Sequence, residues 1–241
     1  MRNKILVIVA HPDDEVLGCG GAIIKHIREG SEVHVIVLAD GVTSRMYNPE
    51  ISRKKELNKF KKEIAVRKNE FLRAAAIMGI EKEKCHWFVL PDQRLDNLPI
   101  LDVIKQIERI AKRVIPDTVY THHWGDLNKD HRICCEAVIT ALRPKTQKIN
   151  KNKTKILCFE INGNMGILPP KAVNKFRPDH YVDITGSKDQ KTKAMEAYQS
   201  ELQDYPGIFS SINMLLLAKK RAKKHNYKYA EAFEQICFGD E

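Results

Sequence analysis

A chain of 241 residues with 43% hydrophobic and 30% charged residues is long enough to bury one sizeable core and too apolar for a disordered or fibrous protein. The formal net charge is +10, and the longest apolar runs, 5–10 and 214–218, fall well short of the about 20 residues that span a bilayer, so no transmembrane helix is expected. The first run follows only Arg2 and Lys4 and breaks at once into polar residues, unlike a signal peptide, which predicts a cytoplasmic address. Six cysteines without a CxxC pair predict neither a disulfide scaffold nor a thiolate zinc site; adjacent Cys134 and Cys135 read as small buried hydrophobes on a helix.

In chain order, Ile5–Ala10 is a continuous branched-aliphatic run that reads as a strand buried on both faces, followed by a helix-spaced segment, Val16–Glu29. Val33–Ala39 repeats the strand pattern after Gly30, and Glu63–Met78 the helical one. Cys85–Leu90 is a strand closed by Pro91, Leu98–Val114 a helix, Thr118–His122 a strand and Arg132–Leu142 a helix. This βαβα alternation predicts an α/β fold: a Rossmann-like, mostly parallel sheet flanked by helices in three α/β/α layers. Ile156–Ile161 and His180–Ile184 add strands, and Lys188–Gln203 and Ser211–Lys224 add helices. No Pro/Gly/Ser-rich linker and no repeat divides the chain, so residues 1–241 are expected to form one domain, with the Lys-rich tract Pro144–Lys155 as its mobile loop.

Two clusters carry chemistry. His11-Pro12-Asp13-Asp14-Glu15 follows the first strand directly, at the carboxyl edge of a parallel sheet, where open α/β sheets bind ligands. Three carboxylates beside an imidazole repel one another unless a cation or hydrogen-bond donors hold them. An acidic helix cap accounts for one carboxylate but not for the leading His or the doubled Asp. The second cluster, Thr121 to Arg132, contains His122, His123, Asp126, Asn128, Asp130 and His131 and again joins a strand to a helix, so it should open onto the same edge. One imidazole from each loop plus one carboxylate makes a two-His, one-Asp set, which leaves a zinc position open for water and substrate.

These residues carry a family resemblance. The unbroken Ala10-His11-Pro12-Asp13-Asp14-Glu15 and the later Asn128-Lys129-Asp130-His131 together resemble the two signatures of the PIG-L/LmbE-type zinc-dependent deacetylases. The stretches 38–45, 90–96 and 230–234 resemble one bacterial branch of that family, so the likeness covers nearly the whole chain. The resemblance implies removal of an acetyl group from an amino sugar or related small molecule. It implies one zinc per chain, or another divalent transition metal, held by His11, Asp14 and His131, with Asp13 as general base. Where the family commonly has His three positions before the last ligand, this chain has Asn128, which donates a hydrogen bond but shuttles no proton. Asp13 returning the proton, with His123 as a supporting electrophile, is the expected substitute. Arg45 and Arg94 follow strand-end turns and are candidate guanidinium clamps on substrate; Asp92 is a candidate acceptor from sugar hydroxyls. Departures at 160–164 and 207–210 bear on specificity rather than on the metal site.

Two rival readings are set aside. The basic runs 53–62, 145–155 and 219–228 suggest a nucleic-acid-binding protein with a non-catalytic metal site. No RNA- or DNA-binding motif accompanies them, and the aromatic fraction of 7% leaves few rings for base stacking, so solvated Lys-rich faces and no nucleic-acid partner are expected. A dinucleotide site is rejected because Gly18, Gly20 and Gly21 fall inside the first helix, after carboxylates that would repel pyrophosphate. The expected partner is a small N-acetylated sugar or sugar conjugate, with a homo-oligomer possible.

Overall fold

The computed structural model describes residues 2–45, 48–143, 154–164, 175–223 and 225–236. The expected loop 144–155 and the basic run within it therefore lie mostly outside the described residues. The elements run β1 (Lys4–Val9), α1 (Asp14–Arg28), β2 (Glu32–Ala39), α2 (Arg53–Lys59), α3 (Lys61–Met78), β3 (Cys85–Leu90), α4 (Ile100–Val114), β4 (Thr118–His122), α5 (Lys129–Leu142), β5 (Lys155–Phe159), β6 (His180–Asp183), α6 (Lys188–Glu196), α7 (Ser211–Ala222) and β7 (Ala230–Ile236).

The strands form one seven-stranded sheet in the order β3-β2-β1-β4-β5-β7-β6. β1, β2, β3, β4 and β5 pair in parallel, while β7 lies antiparallel to both β5 and β6. Alternation along β1 divides the core. Ile5, Val7 and Val9 face a cluster with Val16, Ile23, Phe71, Met78 and Met195, from α1, α3 and α6. Leu6 and Ile8 face Val103, Ile107, Ala111, Cys134 and Val138, from α4 and α5. These are the expected three layers. The chain builds outward from β1 through β2 to β3 and then crosses to β4 on the other side of β1. The loops after β1 and β4 consequently leave the sheet side by side at the topological switch point, where open sheets form their ligand crevice.

Two segments add to the sequence reading. Arg53–Lys62 forms α2 and the start of α3, and its lysines are exposed as a solvated face, while Glu56, 2% exposed, draws the guanidinium groups of Arg53 and Arg94 to it at 2.5 and 2.7 Å. Ala230–Ile236 is an inner strand although it is built from Ala and Glu, residues depleted in strands. Its Glu231 is buried and answers a defect in α1. At Cys19 the helix kinks, with φ −146° and ψ 18°, and Glu231 accepts hydrogen bonds from the Gly21 and Ala22 N–H groups, both at 2.8 Å. Lys191 of α6 completes the arrangement, with Nζ 2.6 Å from Glu231 Oε1 and donating to Leu17 O at 3.1 Å. The glycines here serve close packing: a Cβ on Gly18 would lie 2.2 Å from the Phe159 ring of β5.

Removing one partner of a buried, hydrogen-bonded ion pair leaves an uncompensated charge, typically at a cost of about 3–5 kcal/mol. Glu231→Ala is therefore expected to lower the melting temperature by roughly 10 °C. Glu231→Gln combined with Lys191→Met should recover part of that loss; thermal melts followed by circular dichroism make the comparison.

Candidate functional site

The crevice is lined by imidazoles and carboxylates that the two loops deliver. His11 leaves the end of β1, Asp14 opens α1, and His131 stands in the first turn of α5, all nearly buried. Their ligating atoms form a near-equilateral triangle. His11 Nδ1 lies 3.3 Å from Asp14 Oδ2, His131 Nε2 lies 3.5 Å from the same oxygen, and the two ring nitrogens are 3.3 Å apart.

What surrounds the rings decides where their protons sit. His11 Nε2 faces Asp130 Oδ2 and Asp92 Oδ1, each at 3.2 Å, and His131 Nδ1 faces Asp126 Oδ2 at 3.0 Å. A carboxylate beside one ring nitrogen holds the proton there and leaves the other nitrogen a lone pair, the arrangement found around metal-binding histidines. Two imidazole nitrogens and a carboxylate oxygen thus converge on one point; against the opposing effect of burial, Asp130, Asp14 and Asp92 raise the proton affinity of His11 well above its usual value, and such a point calls for a cation. The edge of a zinc tetrahedron with bonds of about 2.0–2.1 Å is about 3.3–3.4 Å, close to the three observed separations.

Two other trios, His122-Asp126-His131 and His11-Asp92-Asp130, also bring ligand atoms together. In each, other groups already engage part of the donor set. His122 Nε2 accepts the Ala10 N–H at 3.0 Å, and Asp126 Oδ1 accepts from Asn128 N–H and Asn164 Nδ2 at 2.8 and 2.9 Å. Asp92 and Asp130 face His11 Nε2, the nitrogen turned away from the triangle. His122 stacks on His131 with ring centroids 3.9 Å apart and an interplanar angle of 16°. Burial and the adjacent His131 push His122 down to about 4, so it is neutral at pH 7.

Asp13, one residue before Asp14, is buried and adopts φ 105°, a left-handed conformation that costs a non-glycine residue of order 1–3 kcal/mol. Neighbours hold it there. Its N–H donates to Glu15 Oε2 at 3.1 Å, its carbonyl accepts from Val16 and Leu17, and its Oδ2 receives Arg67 Nη2 at 3.0 Å. Arg67, 3% exposed, also donates to Pro12 O and lies over the Tyr198 ring at 5.1 Å. Burial lifts the Asp13 carboxyl well above the usual range, with Arg67 opposing and Asp14, Glu15 and Glu201 reinforcing. Asp14 behaves oppositely: burial alone would raise it, but the charges of His131 and His122 hold it well below. Two neighbouring carboxyls are thereby driven apart in proton affinity. Burial also raises Glu15 to about 7, against the hydrogen bond donated by the Tyr198 hydroxyl at 2.5 Å.

The remaining sequence candidates each have a partner within the protein. Asn128 caps α5, its Oδ1 accepting the Asp130 N–H at 2.9 Å. His123 lies outside the triangle: Nε2 meets Glu234 Oε2 at 3.1 Å, Nδ1 accepts the Gly125 N–H at 2.9 Å, and burial lowers it to about 4. Asp92 accepts the Ser44 hydroxyl at 2.5 Å while facing His11. Arg94 donates to Thr43 Oγ1 and Glu56, and half-exposed Arg45 pairs with Glu201. Arg67, Asp126, Glu15 and Tyr198 were absent from the sequence reading as site residues. Asp126 and Glu15 stood inside the quoted motifs, but nothing local marks Arg67 or Tyr198, which reach the site across 54 and 183 residues.

The family model described as GlcNAc-PI de-N-acetylase, PIG-L, matches residues 6–142, a span that contains both loops. The chain belongs to the PIG-L family. It is 30% identical over 216 residues to 4-oxalmesaconate hydratase of Pseudomonas putida, covering 85% of this chain and 77% of that one. It is 27% identical to diacetylchitobiose deacetylase of Thermococcus kodakarensis, covering 97% and 83%. Among solved structures, the N,N'-diacetylchitobiose deacetylase of Pyrococcus horikoshii aligns with TM-score 0.72 and 24% identity over 97% of this chain and 84% of that one, a likeness of fold.

Outer-sphere carboxylates that orient a metal-binding imidazole typically contribute about 10–100-fold to metal affinity. Asp126→Asn is expected to weaken divalent-metal binding by about that factor, measured by competition with a chromogenic chelator, with the melting temperature changing little.

Proposed function

We propose that this PIG-L protein is a zinc-dependent N-deacetylase acting on an amino sugar or related small molecule and releasing acetate and a free amine. The observation that carries the reading is the convergence of His11 Nδ1, Asp14 Oδ2 and His131 Nε2 to within 3.3–3.5 Å of one another. Zinc held by these three residues would supply Lewis acidity for the acetyl carbonyl and lower the pKa of water at its open position to about 7.

The chain's own residues do the rest. Asp13, stabilised as a carboxylate by Arg67 yet raised by burial, takes a proton from the attacking water and returns it to the leaving nitrogen. Asn128, whose oxygen is committed to the α5 cap, has its amide NH2 to offer the developing oxyanion. His123, neutral and bonded at both nitrogens, is left out of proton transfer and keeps the loop after β4 in place. Asp92 and Asp130 fix the tautomer of His11, Arg94 braces the loop after β2 through Thr43 and Glu56, and Arg45 is the guanidinium that reaches solvent. The wider reading is of a protein that acts on small molecules in the cytoplasm without a nucleic-acid partner. No helix among the described residues is long and apolar enough to cross a membrane.

The likeness to a hydratase favours a second reading, in which the same cluster activates water for addition to a carbon–carbon double bond. Mass spectrometry separates the two: zinc-loaded protein incubated with N-acetylated sugars should yield products lacking an acetyl unit plus stoichiometric acetate. Water gained by 4-oxalmesaconate with no acetate from any sugar would overturn the deacetylase reading. Asp13→Ala should retain zinc and lose about 10²–10⁴-fold in turnover, whereas His131→Ala should lose both metal and turnover. Near-normal rates in the Asp13 variant would contradict its role as base.

A further inference from the structure

β3 ends the sheet. Among the described residues its one strand partner is β2, with Val35 opposite Cys85, Ile36 opposite His86 and Val37 opposite Trp87, so its outer edge carries N–H and C=O groups that no described strand meets. All six residues of β3 are half-buried rather than covered. A groove of about 390 Å³ runs along this edge, walled on one side by α3 through Lys68 and Phe71 and on the other by α4 through Arg109, Ile110 and Arg113. The floor sorts by face: Cys85 and Trp87 pack on the cluster that contains Phe71, and Phe88 on the one that contains Ile110.

The charge of the groove is one-sided. No carboxylate lines it, and among the described residues no ion pair joins Lys68, Arg109 or Arg113 to an acid. α4 is not short of acid elsewhere, since Lys105 and Lys112 both reach Glu108, at 3.1 and 3.3 Å. Arg109 and Arg113, exposed and one turn apart, instead repel each other on the groove side. The positive field extends into the floor, where His86 makes no hydrogen bond at Nε2 and its proton affinity is lowered by burial and then by His34, Arg113 and Arg109.

We infer that this edge is a docking groove for an extended acidic segment of a partner protein, which adds to β3 as a further strand. An added strand alternates its side chains between the two walls. Acidic residues would face Arg109 and Arg113, and apolar residues would face half-buried Leu72 and the stem of Lys68, so the partner segment alternates apolar and acidic residues. A second copy of this chain is the wrong occupant on charge: pairing β3 with its own counterpart would bring two Arg109-Arg113 pairs to one seam.

Fluorescence anisotropy tests this with a labelled octapeptide alternating valine and glutamate, in about 0.15 M salt, on the full metal-loaded chain. One control has the same composition with its valines and glutamates in separate blocks; another is N-methylated along one edge. Binding of the alternating peptide is expected, weakened about tenfold or more by Arg109→Glu with Arg113→Glu and by either control. The double variant should keep its metal content and melting temperature. Equal binding of all three peptides reduces the groove to unspecific anion attraction and overturns the inference. So does tighter binding of single-stranded nucleic acid, or self-association in light scattering that the double variant abolishes. Absence of peptide binding overturns it equally.

Discussion

Three ligating atoms gathered at one spot are the feature around which this protein is arranged. Two imidazole nitrogens and a carboxylate oxygen 3.3 to 3.5 Å apart repel one another when nothing lies between them. A carboxylate sits against the outer nitrogen of each ring: Asp126 behind His131, Asp92 and Asp130 behind His11. Affinity for a cation therefore resides in the outer carboxylates as much as in the three ligand atoms.

Holding such a cluster requires a frame that cannot relax, and the sheet order supplies it. Because β1 and β4 are neighbours while their loops come from distant parts of the sequence, His11 and His131 meet across 120 residues with little freedom to separate. Further bracing comes from α3 and from the end of the chain. Tyr198 and Arg67 hold Glu15 and Asp13, and Glu231 with Lys191 repairs the kink in α1 a turn beyond Asp14. The left-handed backbone at Asp13 is tolerable because its N–H, carbonyl and carboxylate are all engaged. The part of the chain outside residues 6–142 thus builds the second wall of the same site.

The layers and the two loops were legible in the sequence because their signals are local: continuous aliphatic runs for β1 and β2, helical spacing for α4, and two motifs each directly after a strand. β7 was not legible as a strand, since Ala-Glu-Ala-Phe-Glu lacks branched residues and its burial depends on Lys191 and on the α1 kink. The partners of the polar residues were hidden for the same reason. Nothing in a linear reading distinguishes Arg94, drawn to Glu56, from Arg45, left half-exposed. His123 and His122 are adjacent and of one type, yet one is bonded to Glu234 and the other stacks on His131. Motifs announced which residues gather; the contacts that divide labour among them are long-range.

Zinc-edge X-ray absorption on the metal-loaded protein tests the central claim most directly. The account predicts a light-atom shell at about 2.0–2.1 Å with outer scattering from two imidazoles, no sulfur at about 2.3 Å, and a shell altered by an added acetate-like ligand. A sulfur contribution, three or more imidazoles, or a spectrum indifferent to that ligand would contradict it.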